Sequence, residues 1–238
     1  MEVKYVHDTA IHNTKAAEVI VPLILDRYKI NSVVDVGCGI GTWLSVFGRY
    51  AIEYIGIDGD YVDRSLLCIN EDDFKCLDLN NKFSLNKKYD LAICLEVAEH
   101  LEIKSAPLFI ECLCNLSDLV IFSAAIPLQG GQNHLNEQYP WYWLSIFESL
   151  GYYLVDDIKP DIWGNSNVEW WYQQNIMILK KTSNKEKKQL FFAIHPVLYE
   201  TKIEEIRKLD TNYQRVIRGN IPVSTAFKIL VKALINSV

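Results

Sequence analysis

The chain has 238 residues, half of them apolar and 12% aromatic, with 24 Lys and Arg against 30 Asp and Glu and a formal net charge of −6. Ample apolar surface excludes a mainly disordered chain, and the acidic balance argues against nucleic acid as the main partner, because phosphate binding needs a basic face. The most apolar stretch, Leu119 to Leu128, is about half of the roughly 20 residues a membrane-spanning helix needs, and the N-terminal stretch carries Glu2, Asp8 and Glu18, which does not suit a signal peptide.

In chain order, residues 14–29 place Ala16, Val19, Ile20, Leu23 and Ile24 at helical spacing, with Pro22 predicting a kink or a break. Short apolar runs then predict seven strands: Ser32–Val36, Tyr54–Ile57, Phe74–Leu77, Tyr89–Leu95, Leu119–Ser123, Tyr152–Ile158 and Asn175–Lys180. Helices are predicted between them at 42–50, 61–68, 103–116 and 140–150. Continuously apolar strands separated by helices predict a mostly parallel sheet covered on both faces, a doubly wound α/β domain over residues 31–181. A helical cap is expected over 1–30. After a polar break at 182–190, a helical extension is expected to 238, with Glu200–Arg218 charge-rich and an amphipathic helix after Pro222. The extensions are expected to shape an acceptor site or an interface; the amphipathic C-terminal helix reads first as packing on its own domain, with a membrane or a partner subunit, such as a second copy of the chain, as the alternative. Cys38, Cys68, Cys76, Cys94, Cys112 and Cys114 form no Cys-x-x-Cys pair and have no His at zinc spacing. They read as reduced, mostly buried thiols of a cytoplasmic protein.

The sharpest motif is Val33-Val-Asp-Val-Gly-Cys-Gly-Ile-Gly41, a strand running into a glycine turn that opens a helix near Thr42. A dinucleotide fingerprint would put its third glycine at position 42, which is Thr. Asp35 just before the glycines disfavours a pyrophosphate and suits a ligand with a positive amino group. Asp58 at the end of the second strand can accept both hydrogen bonds of a ribose diol, and Asp78 follows the third strand, where it can read an adenine amino group. Three acids at the ends of successive strands fall where ligands of such sheets bind.

These residues, with Cys76-Leu-Asp-Leu79 and Leu95-Glu-Val-Ala-Glu-His-Leu101, resemble the class I S-adenosylmethionine-dependent methyltransferase family over about residues 33–101. The resemblance implies a Rossmann-like seven-stranded sheet with its last strand antiparallel. It places Asp35, Gly37, Cys38, Gly39 and Gly41 around the methionine part of S-adenosylmethionine, Asp58 at the ribose, Asp78 and Leu79 at the adenine, and Glu96 near the methionine or ribose.

The motif that marks methylation of exocyclic DNA amines is absent after the fourth strand, and no Cys stands in a Pro-Cys context, so a thiolate route to cytosine lacks its nucleophile. The segment Gly130-Gly-Gln-Asn-His-Leu-Asn-Glu-Gln-Tyr-Pro-Trp-Tyr-Trp143 mixes polar side chains with aromatic rings and is expected over the methyl donor. That suits an acceptor with hydroxyls and flat apolar faces, such as a sugar. Asn136, Gln138, Tyr139 and Trp141, with His12 from upstream, are the candidate substrate contacts. Together with His12-Asn13 and His195-Pro-Val-Leu-Tyr199, the segment resembles a subgroup associated with bacterial surface-glycan and nucleotide-sugar pathways. The candidate bases for a hydroxyl acceptor are His134, favoured and oriented by Glu137 or Glu99, and His100; His7 and His195 read as structural. Glu99, His100, His134 and Glu137 could hold a divalent metal, but no ligand spacing fixes one, and a metal-free site is the expectation. The expected activity is O-methylation of a sugar or glycan precursor. Methylation of a phosphate or phosphoramidate group on a glycan, a nicotinamide-dependent oxidoreductase, and a non-catalytic cofactor-binding subunit are the competing readings.

Overall fold

The computed structural model describes residues 12–156, 158–183 and 192–235. His7 and most of the 182–190 break lie outside these. The chain divides into two compact units, Met1–Ala193 and Ile194–Val238.

The first unit begins with α1 (Lys15–Arg27), in which Pro22 is accommodated inside the helix. Then follow β1 (Ser32–Val36), α2 (Thr42–Gly48), β2 (Glu53–Asp58), β3 (Phe74–Cys76), β4 (Leu91–Leu95), α3 (Ala106–Leu116), β5 (Leu119–Ser123), α4 (Pro140–Ser149), β6 (Tyr152–Asp156), α5 (Lys159–Ile162), α6 (Trp170–Asn175) and β7 (Met177–Lys181). The sheet order is β3-β2-β1-β4-β5-β7-β6. All pairs are parallel except those of β7, which runs antiparallel to both β5 and β6. This is the doubly wound α/β sheet expected from the continuously apolar strands. β1, β4 and β5 are central, and β4 and β5 are buried along their whole length because helices cover both faces.

Alternation along β1 divides the core. Val34 and Val36 join Phe109, Trp143 and Phe147 on the face of α3 and α4, while Val33 joins Ile20, Ile24, Leu44 and Phe47 on the face of α1 and α2. Each such fully buried side chain contributes roughly 1.5–3 kcal/mol of transfer free energy. The crossing of the chain from β1 to β2 on one side and to β4 on the other leaves the carboxyl ends of the strands facing one crevice.

One expectation is corrected. Residues 61–68 form no α-helix, only a 3-10 turn at Arg64–Leu66. Asp63 accepts hydrogen bonds from Ser65 N and Ser65 Oγ, and the Arg64 guanidinium lies 3.9 Å over the Phe74 ring; local side-chain capping wins over apolar spacing. The six thiols are all free and mostly buried, as expected; Cys68 and Cys76 are exposed, Cys76 because β3 is an edge strand with one outer face open.

The second unit holds α7 (Pro196–Ile217) and α8 (Val223–Ile235). His195 caps α7, its Nδ1 accepting from Val197 N at 3.3 Å. Among the described residues no helix is long and apolar enough to cross a membrane.

Candidate active site

The strand ends of the first unit open onto a cleft of about 1430 Å³. Its walls come from the turn after β1 (Gly37, Cys38, Gly39), the end of β2 (Asp58), the segment after β3 (Asp78, Leu79), the end of β4 (Glu96) and the loop after β5. The glycine turn is shaped by backbone geometry. Gly37 has φ +83°, and a Cβ there would overlap the Val97 side chain, so only glycine fits. Gly41, also at positive φ, forms the left-handed cap of α2. A Cβ on it would meet Ile69 at 2.8 Å, and it does not line the cleft: its part is to turn the chain.

Asp58 braces two of these loops. Its Oδ2 accepts from Gly39 N at 2.6 Å and its Oδ1 from Gly59 N at 2.6 Å and from the Tyr61 hydroxyl. Burial raises its pKa against these bonds. Asp35 is buried at the end of β1, where burial and then the Asp58 charge push its carboxyl well above the usual range. Asp78 is exposed and caps its own turn through Asn80 N and Asn81 Nδ2.

Glu96 follows β4 with φ +55°, a conformation that costs a non-glycine residue about 1 kcal/mol or more. Its carboxylate is held by Gln129 Nε2 at 2.9 Å and Asn175 Nδ2 at 3.2 Å, and burial raises its pKa. Among the described residues none of Asp35, Asp58, Glu96 and Glu99 is in an ion pair. Four carboxylates in one cleft, none of them in an ion pair among the described residues, favour a cationic ligand.

At the far end stands a second polar group. Glu99 is fully buried. Its Oε1 accepts from Ala125 N at 3.1 Å, its backbone oxygen accepts from Leu135 N and Asn136 N, and burial followed by the Glu96 charge raises its pKa well above normal. The rings of His100 and His134 meet edge to face at 4.8 Å. Burial lowers the His100 pKa to about 4, so its ring is neutral at pH 7. Glu137 Oε1 lies 2.9 Å from His134 Nδ1 and is itself fixed by Gly130 N and, through Oε2, by Leu128 N.

The cleft thus brings together Asp35, Gly37, Cys38, Gly39, Asp58, Asp78, Leu79, Glu96, Glu99, His100, His134 and His12. Glu137 stands behind His134, around a smaller hollow. Asn136, Gln138, Tyr139 and Trp141 do not line the cleft. Asn136 is buried, its Oδ1 accepting from Gln138 Nε2. Tyr139 and Trp141 are exposed and stack at 4.3 Å, with Phe192 edge-on to both. Sequence reasoning missed the wall made by Glu169, Trp170, Trp171 and Tyr172. A run of three aromatic residues just before an apolar strand was the available signal.

The family profile described as a methyltransferase domain matches residues 10–173. The chain belongs to the methyltransferase-domain family. No curated protein matches the sequence. Among solved structures, this methyltransferase resembles the magnesium protoporphyrin IX methyltransferase ChlM from Synechocystis PCC 6803 with bound SAH, at 18% identity and TM-score 0.55, covering 71% of this chain and 83% of that one. It also resembles Streptomyces venezuelae DesVI, at 11% identity and TM-score 0.57, covering 75% and 100%. A third match is the small RNA methyltransferase HEN1, at 16% identity and TM-score 0.51, covering 79% of this chain and 27% of that one. At these identities the likeness extends to the fold. It is the class I, Rossmann-like methyltransferase fold, with β7 reversed as in the sheet described above.

Proposed function

We propose that this methyltransferase uses S-adenosylmethionine to methylate a hydroxyl of a sugar or surface-glycan precursor, such as a capsule or lipopolysaccharide unit, in the cytoplasm. The donor follows from the family and from the cleft. Gly37 lines the cleft without a side chain, and Asp35 and Glu96, in no ion pair among the described residues, suit the positive amino acid end of the donor. ChlM has been crystallised with SAM and with SAH. S-adenosylmethionine, when bound, supplies a methyl group already activated on a sulfonium.

The protein's own work is then to hold the acceptor in line and to manage its proton. Methyl transfer to a hydroxyl forms a C–O bond, leaves the donor as a thioether and releases the hydroxyl proton. The observation that carries the reading is the His134–Glu137 pair, standing with Glu99 and His100 at the end of the donor cleft. Glu137 fixes the ring through Nδ1 and leaves the other nitrogen to accept a proton, so His134 is the proposed proton acceptor. The exposed Tyr139–Trp141 stack offers flat apolar faces of the kind that carry sugar rings.

The test is a panel of nucleotide sugars, glycan fragments, phosphorylated sugars and small alcohols with methyl-labelled donor, read by mass spectrometry. Label on a sugar hydroxyl is expected. Label on a phosphate or phosphoramidate group would replace this reading with the alternative acceptor class. Donor binding without label on any acceptor would favour a non-catalytic subunit.

A further inference from the structure

We propose that Glu99, His100 and His134 bind one divalent transition-metal cation at the acceptor end of the cleft. One ligand atom from each residue lies within 4.8 Å of the others. Atoms about 2.1 Å from a common centre stand roughly 3–4 Å apart, so the widest pair needs to close by about 1–2 Å to grip an ion. All three residues line the cleft, which leaves coordination positions open toward an acceptor.

Three further observations point to a ligand. Glu99 is fully buried, and its Oε2 has no hydrogen-bond partner among the described residues, although buried carboxylate oxygens are normally satisfied. The rest of the residue is anchored: Oε1 by Ala125 N, the backbone oxygen by Leu135 N and Asn136 N. The same two bonds pin the loop that carries His134. The rings are held as metal-bound imidazoles are held, with one nitrogen occupied by the protein. Glu137 takes His134 Nδ1 at 2.9 Å, and His100 is hydrogen-bonded to the backbone of Gln132 and Asn133. Two imidazoles and one carboxylate favour Mn²⁺, Fe²⁺, Co²⁺ or Zn²⁺ over Ca²⁺ or Mg²⁺, which prefer oxygen.

The inference deepens the hydroxyl-acceptor reading and rests on it only for the purpose of the ion. A cation here would hold an acceptor oxygen and ease the loss of its proton, and His134 would then serve as a ligand instead of accepting that proton. Binding itself needs no acceptor and is tested separately.

Chelator-treated protein, saturated with S-adenosylhomocysteine, is titrated with Mn²⁺ and followed by the electron paramagnetic resonance signal of the free ion. One ion per chain is expected. E99Q and H100Q should each weaken binding by at least about tenfold, and E137Q, which alters the support of His134 and of the loop that carries it, by about tenfold. S-adenosylhomocysteine affinity within about twofold of the wild type shows that the variants are folded. No Mn²⁺ binding to the wild type, or unchanged binding in both E99Q and H100Q, would overturn the proposal. If Mn²⁺ binds as expected while the acceptor panel labels no hydroxyl, the metal site stands and the acceptor reading fails.

Discussion

Asp58→Asn is the substitution whose effect is most fully determined by the structure. The carboxylate has a backbone N–H at 2.6 Å on each oxygen, Gly39 on Oδ2 and Gly59 on Oδ1, with the Tyr61 hydroxyl as a further donor. Asparagine has one oxygen to offer. Whichever way the amide turns, its NH₂ group faces a backbone donor, and one charge-assisted bond is lost along with the charge. Bonds to a charged group are worth about 1.5–3 kcal/mol and neutral ones about 0.5–1.5. A ribose diol bound to the same carboxylate therefore loses about 1–1.5 kcal/mol from the missing charge alone. The loosened brace between the two loops adds to that. We expect S-adenosylhomocysteine to bind Asp58→Asn about 10- to 100-fold more weakly by calorimetry. Asp60→Asn, an exposed neighbour in the same cleft, should change affinity by less than about twofold. Equal affinity for Asp58→Asn and wild type, with the fold intact by circular dichroism, would refute the assignment of Asp58 to the ribose.

Gly37→Ala and Gly151→Ala share φ +83°, but only at Gly37 would the new methyl meet a side chain, Val97. Both should lose about 1 kcal/mol of stability to backbone strain, and only Gly37→Ala should also weaken donor binding by about tenfold or more. Gly131→Ala drives a methyl into the His134 ring, so turnover should fall by up to about 100-fold with donor affinity unchanged; undiminished turnover would remove His134 from the reaction. Tyr152→Phe deletes a buried hydroxyl that donates to Cys114 O at 2.6 Å and Ser117 O at 2.8 Å. About 1–2 kcal/mol should be lost, a Tm fall of roughly 2–8 °C by scanning fluorimetry. Trp141→Ala, an exposed member of an aromatic stack, should raise the acceptor KM and leave donor affinity alone; an unchanged KM would place acceptor binding elsewhere.

Much of the strand-end wall of the cleft was legible in the sequence because it is written locally. Asp35, the glycine turn, Asp58 and the Glu96–Leu101 segment each stand at or just after the end of a strand, and strands buried on both faces announce themselves as unbroken apolar runs. β1 and β5 begin and end at the residues the apolar runs predict. The far end of the cleft was less legible because it is assembled at long range. Glu99 reaches the loop after β5 through backbone bonds to Leu135 and Asn136, and the grouping of Glu99 and His100 with His134 has no sequence spacing to give it away. The aromatic wall of α6 comes from the short stretch before β7, which carries no glycine or catalytic motif to mark it. Apolar spacing misled at 61–68, where an aspartate-capped turn and an Arg64–Phe74 contact use the same residues differently.

The most direct measurement is a crystal structure of the protein with S-adenosylhomocysteine. The sulfur should face Glu99, His100 and His134, with the ribose on Asp58 and the amino acid end between Gly37 and Glu96. A product molecule bound with its sulfur turned away from that cluster, or bound outside the cleft, would contradict the account.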